Sequence, residues 1–97
     1  MTGKQKRYLR TLAHPLKPVV NLGKQGLSQE TRREIEIQLL DHELIKLKVL
    51  DNCPLTKKEC ADELSRAKSL EVVQVIGKTI VLYCPRSDEP EIELPAT

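Results

Sequence analysis

A compact two-layer α/β domain with a mixed four-stranded sheet is the fold class this sequence predicts, and three observations carry it. Segments with helical apolar spacing alternate with short β-rich runs in the order α-β-α-β-α-β-β. Helix-length segments separate the early strands and favour parallel pairing, whereas the last two strands are joined by a turn that only an antiparallel pair can use. The chain has 97 residues, enough for one domain and too few for two. It contains no Phe and no Trp, so the core must be built from Leu, Val and Ile, with Tyr8 and Tyr83 expected to join them.

The first helix is expected from about Gly3 to His14. Thr2 followed by Gln5 makes a capping box. Tyr8, Leu9, Leu12 and Ala13 recur at helical spacing, while Lys4, Arg7 and Arg10 lie on another face. Pro15 stops the helix, Pro18 keeps Lys17 extended, and Val19 to Leu22 reads as a strand. Ser28 can cap a second helix reaching about Glu43, with Ile35 and Leu39 as its apolar stripe, Leu40 beside them, and Arg32 pairing with Glu36 on the surface.

The run LIKLKVL at residues 44–50 alternates, with Ile45, Leu47 and Val49 pointing one way and Lys46 and Lys48 the other. That is a strand with one buried face and one wet, basic face. Helices covering both faces throughout would bury two unpaired lysines. Asp51-Asn52-Cys53-Pro54 makes a turn, and Thr56 with Glu59 gives a second capping box. The helix that follows buries Cys60, Ala61, Leu64 and Ala67 and ends near Lys68. Val72 to Ile76 and Thr79 to Cys84 form a hairpin around Gly77-Lys78. Ile35, Leu39, Ile45, Leu47, Val49, Leu64 and Ile76 are the expected core. Residues 1–86 form the domain; residues 87–97 form an acidic, proline-containing tail unsuited to a regular element, which only Ile92 or Leu94 could order by packing.

Net charge is only +2, but its distribution is uneven. Residues 1–26 carry +6 from Lys4, Lys6, Arg7, Arg10, Lys17 and Lys24, residues 27–87 carry none net, and residues 88–97 carry −4. A local field of that kind can steer a polyanion, although a solvated helix face would produce the same pattern. Gly23-Lys24-Gln25-Gly26 sits at a strand-to-helix corner. It reads either as an ordinary turn or as a loop where a phosphate meets bare amides, a helix N-terminus and the Lys24 ammonium. Neither the nucleotide P-loop pattern nor the dinucleotide fingerprint is present.

Other chemistry finds little support. Cys53, Cys60 and Cys84 form no even framework and no C-x-x-C pair, which suggests free thiols in a reducing compartment. No apolar run approaches bilayer length, and no apolar stretch follows the N-terminal cations as a secretory signal requires, so a cytoplasmic protein without membrane contact is expected. His14 and His42 lie near helix ends and lack zinc-ligand spacing, so no metal or cofactor is expected. Ser28 and Ser65 have no sequence-local base, and Glu34 and Glu36 point in different directions on one helix, so no catalytic constellation stands out.

The stretches KQKRYLRTLAHPLKPVVNLGKQGL, HELIKLKVL and VVQVIGKTIVLYCP, spread in order over residues 4–85, resemble the CRM-domain family, specifically its small stand-alone bacterial YhbY-like type. The resemblance implies a single-domain binder of structured RNA, acting on ribosomal RNA in large-subunit precursors; a monomer that works without catalysis is expected. It also implies a fold similar to the C-terminal domain of a bacterial translation initiation factor. The family's RNA-contacting glycine loop falls on Gly23, Lys24, Gln25 and Gly26. Its basic positions fall on Lys4, Lys6, Arg7, Arg10, Lys17, Lys46 and Lys48. Where many members carry an arginine after the last strand's tyrosine, this chain has Cys84, with Arg86 two residues on. With only two tyrosines to stack on bases, recognition through backbone shape is expected. The competing reading is a protein-interaction module whose basic helix docks on an acidic partner, with Leu22, Leu27 and Tyr83 as exposed anchors.

Overall fold

Strand alternation sorts the apolar side chains into two separate cores, one on each face of a single sheet. The computed structural model describes residues 1–96; Thr97, the end of the expected tail, lies outside the described residues. The elements are α1 (Gly3–Ala13), β1 (Pro18–Leu22), α2 (Gln29–His42), β2 (Leu44–Val49), α3 (Lys57–Ser65), β3 (Glu71–Ile76) and β4 (Thr79–Tyr83). The sheet order is β1-β2-β4-β3, with β1 parallel to β2 and the other two pairings antiparallel. The α/β class, the element order and the mixed four-stranded sheet are those the sequence predicts.

On one face, Val20, Leu22, Ile45, Leu47, Val49, Ile80 and Leu82 pack against Ile35 and Leu39 of α2 and Cys60, Ala61 and Leu64 of α3. On the other, Leu44, Val73, Val81 and Tyr83 receive Leu9 and Ala13 of α1, with Leu12, Ile92 and Leu94 packed at the margin. The two-layer description therefore covers the sheet with α2 and α3, and α1 with the tail adds a partial third layer. That layer exists because β4 is apolar on both faces and β2 begins with Leu44, so part of the second face must also be shielded from water.

The helix starts follow their caps. Thr2 and Gln5 close a reciprocal capping box on α1, and Thr56 and Glu59 do so on α3. Ser28 Oγ accepts the Thr31 N–H at the start of α2. The end of α2 is unusual: Glu43 adopts φ 62 and is fully buried. A non-glycine residue in the left-handed region carries strain of roughly 1–2 kcal/mol. Its side chain supplies the compensation. Oε2 accepts the Arg86 N–H at 2.9 Å, and Oε1 accepts those of Glu91 and Ile92 at 2.7 and 3.0 Å. Burial pushes this carboxyl's pKa up; the three backbone donors and the Arg86 charge more than reverse the effect, leaving it below the ordinary value.

Several local expectations are corrected. The tail is irregular in backbone but fixed in place by Glu43, by Ile92 and Leu94, and by Gln5 donating to the Pro95 carbonyl. Ile76 is 57% exposed: a bulge between Val72 and Gln74 resets the alternation and leaves it opposite Thr79 at the hairpin end of edge strand β3. Leu40 is 68% exposed, since it lies about 100° around the helix from Leu39. Helix α3 stops at Ser65, so Ala67 is outside it and exposed. Tyr8 is exposed on α1 instead of buried. Arg32 reaches across to Glu63 of α3 at 3.5 Å and donates to the Leu27 carbonyl, so its ion pair is with Glu63, not Glu36.

Two outcomes test this account. Leu47→Ala, at a fully buried position, is expected to lower unfolding free energy by roughly 2–5 kcal/mol in denaturant titration. Glu43→Gln is expected to cost on the order of 2–3 kcal/mol at neutral pH, because a charged acceptor is lost. A depressed native pKa contributes stability that is present above the unfolded value and lost as pH falls. The wild type is therefore expected to lose stability below about pH 4.5, and the variant to lose less over that range.

Candidate nucleic-acid interface

The pairing register lays out the second face of the sheet as three rows. Leu44 and Tyr83 form the first, covered by α1 and the tail. Lys46 pairs with Val81, and Val81 with Gln74, in the second. Asn21, Lys48, Thr79 and Ile76 line up in the third. Burial declines along β2 in that direction: Leu44 is buried, Lys46 half-buried and Lys48 exposed. The expected wet, basic face is thus real in the third row and partial in the second, where Lys46 is half-buried beside the buried Val81.

Helix α1 borders this open area. Arg10, Thr11, Ala13, His14, Pro15, Lys46, Gln74 and Ile76 line one open groove. Lys46 Nζ donates to the His14 carbonyl at 3.2 Å, placing a cation at the negative end of the helix. Lys6 lies one turn before Arg10 on the same helix face, half-buried. Arg7 is exposed further round the helix. Lys4 is exposed near the opposite end of α1, the end where Gln5 holds the tail, and so stands apart from the groove. Lys17 is exposed in the segment leading into β1.

The glycine corner closes the third-row end of the sheet. Gly26 N–H donates to the Gly23 carbonyl at 2.9 Å, making a turn whose tip, Lys24 and Gln25, is exposed. No hydrogen bond engages the backbone N–H groups of those two tip residues among the described residues. Gly26 has φ +58, and a Cβ there would meet Pro54 Cγ at 3.3 Å, so the fold itself requires this glycine. Gly23 has no positive φ, and its added Cβ would make ordinary 3.5 Å contacts with Asn52 Oδ1 and Leu50 Cδ1. The turn is therefore structural at its second glycine and open at its tip. Both readings of the motif apply, at different residues.

Arg86 does not stand in for the missing family arginine. It donates to the carbonyls of Leu40 and Asp41 at the end of α2 and pairs with Glu91 at 3.2 Å. The anchors of the protein-docking reading fail as well, since Leu22 and Tyr83 are buried and Leu27 is half-buried. Cys60 is fully buried, and burial together with neighbouring Cys53 and Glu59 pushes its thiol up to about 12. Burial and the Glu43 charge push Cys84 up. Neither offers a ready thiolate at neutral pH.

Sequence reasoning missed Asn21, Thr79 and Lys78. Asn21 and Thr79 flank Lys48 in the third row, and the outward alternation of β1 together with the hairpin register would have found them. Lys78, in the β3–β4 turn, forms an ion pair with Asp51, whose carboxyl is held below the usual range by the hydrogen bond and charge of that ammonium.

The family model for the CRS1 / YhbY (CRM) domain matches residues 1–83. Over 95 residues the chain is 43% identical to the "Probable RNA-binding protein YqeI" of Bacillus subtilis (strain 168), covering 98% of this chain and 99% of that protein. It is 44% identical over 95 residues to an "RNA-binding protein" of Haemophilus influenzae, covering 98% of this chain and 95% of the relative. The solution structure of the hypothetical protein SAV1595 from Staphylococcus aureus superposes with a TM-score of 0.78 at 45% identity, covering 98% of this chain and 99% of that one. With the family's domain spanning four-fifths and more of the sequence and relatives of matching length on either side, this chain belongs to the CRS1/YhbY (CRM) domain family.

Proposed function

We propose that this protein binds structured RNA without catalysing a reaction, and that its target is ribosomal RNA in precursors of the large subunit, whose assembly it assists in the cytoplasm. The observation that carries the RNA reading is the open half of the sheet. Arg10 and Lys46 line its groove, Lys48 follows on the same face of β2, and the glycine turn after β1 has an exposed tip with two unpartnered amides and the Lys24 ammonium. Cations and free N–H groups of this kind suit phosphate oxygens. The RNA-binding names of the full-length relatives support the same class of partner. The ribosomal target rests on the family resemblance.

Within this reading Arg10, Lys17, Gly23, Lys24, Gln25, Gly26, Lys46 and Lys48 form the centre of the contact surface. Lys6 and Arg7 extend it along α1, and Lys4 lies at its periphery. Residues 1–86 act as the binding unit, and the acidic segment that follows stays off the RNA.

The test is a salt titration. Arg10→Gln and Lys48→Gln are each expected to weaken binding to unrelated folded RNAs together and to flatten the slope of log affinity against log salt. The change is about 0.9 per lost duplex contact, or about 0.7 for single strands. Lys4→Gln is expected to change the slope less. An unchanged slope in the first two variants would remove the surface assignment. Gly26→Ala is expected to destabilise the fold by roughly 1–2 kcal/mol, read as a lower thermal midpoint, because φ +58 is retained only under strain. Crosslinking in cells with sequencing of the attached RNA tests the ribosomal target; recovery of other RNA classes alone would reject it.

A further inference from the structure

Lys78 borders the proposed contact surface and is held in an ion pair. It occupies the two-residue turn between β3 and β4, next in the chain to Thr79, which pairs with Lys48. Its carbonyl accepts the Val49 N–H at 2.7 Å, tying the hairpin tip to the end of β2. Its ammonium is engaged by Asp51. The position of Asp51 is telling: it lies between Leu50 and Asn52, the two residues that face Gly23, and Pro54 of the same loop faces Gly26. Residues 50–54 thus back the glycine turn through alternate side chains, while the remaining carboxylate is directed at the hairpin lysine.

We propose that Asp51 occupies the place of an RNA phosphate at Lys78, so that this lysine joins the interface only when RNA displaces the carboxylate. The inference rests on the RNA-binding reading and adds a contact residue and its internal competitor to that site. Both side chains are largely exposed, at 61% and 85%, and exposed ion pairs are held weakly. A phosphate oxygen offers Lys78 an acceptor of the same charge, and no core contact need break for the exchange. The neighbouring free amides of Lys24 and Gln25 and the Lys48 ammonium favour a polyanion at this end of the sheet. In the free protein Asp51 instead lowers the local positive potential, which restrains adventitious binding of small anions.

The experiment measures binding of a fluorescein-labelled RNA stem-loop by anisotropy over a range of salt, for the wild type, Asp51→Asn, Lys78→Gln and the double variant, with thermal midpoints recorded for each. Asp51→Asn is expected to tighten binding about twofold to fivefold, as a competing exposed ion pair is removed. Lys78→Gln is expected to flatten the salt slope by about 0.7–0.9 and to weaken affinity more in the Asp51→Asn background than in the wild type. A pair that merely braces the hairpin would lower both thermal midpoints and leave the salt slope alone; that result overturns the proposal. So does an Asp51→Asn variant that binds no tighter. If Arg10→Gln and Lys48→Gln flatten the slope while Lys78→Gln does not, the latent contact is wrong and the wider surface stands. If the wild type ignores the stem-loop, both fall.

Discussion

Strand β2 is the constraint on which the rest of the molecule depends. It lies between a parallel neighbour and an antiparallel one, and its six residues carry side chains to both faces. Ile45, Leu47 and Val49 anchor the larger core, so the strand's register against β1 and β4 cannot slip by one residue without placing Lys46 and Lys48 among buried aliphatics. Register fixed on one face fixes the other. Lys48 must then stand between Asn21 and Thr79, and Lys46 beside the end of α1. The candidate surface is the reverse side of a packing solution.

The same logic explains why that surface is only half a sheet. Tyr83, Val81 and Leu44 require cover, and α1 supplies it with Leu9 and Ala13. The helix is short, 11 residues, so its roughly 16 Å of length cannot roof the whole face. The tail fills part of the margin, and Glu43 holds it there. One carboxylate ends α2, accepts three backbone N–H groups from the segment after β4, and so connects the helix, the sheet and the tail at the side away from the glycine turn. A buried charge with that many donors is stable, whereas an uncompensated one would not be.

Periodicity and caps made most of the fold readable from the sequence. Thr2, Ser28 and Thr56 marked three helix starts correctly, and the alternation of residues 44–50 identified the central strand and its basic side. What escaped depends on contacts far apart in the chain. Ile76 looked buried because a bulge is invisible to a period-two pattern. Glu43 looked like a helix-end acid, and nothing in its neighbourhood announces that residues 86–92 will supply its donors. The tail read as loose because four acids and two prolines obscure Ile92 and Leu94, which have partners only once α1 lies across the sheet. At the candidate site, the lysines of β2 and the glycine turn were legible, since strand alternation and a strand-to-helix corner are local signals. The separation of Lys4 from Arg10, and the Asp51–Lys78 pair, were not, because both depend on how α1 crosses the sheet and where the hairpin tip lands.

The composition of the open half-sheet also bears on what kind of recognition it can support. Tyr83 is buried beneath α1, and Tyr8, though exposed, is absent from the groove lining. Neither tyrosine ring is therefore placed there to stack against a splayed base, the usual means by which single strands are read, and the flat groups in the lining are the His14 imidazole and the Arg10 guanidinium. The available groups are Arg10, Lys46 and Lys48, the side chains of Asn21, Gln74 and Thr79, and the amides of the glycine turn. Charges and small dipoles at fixed spacing suit phosphates and sugar hydroxyls, whose positions follow the shape of a folded RNA more than its sequence. A rigid sheet is the appropriate support for such a surface. The spacing between the helix rim and the glycine turn is in turn set by the same two cores that hold the protein together.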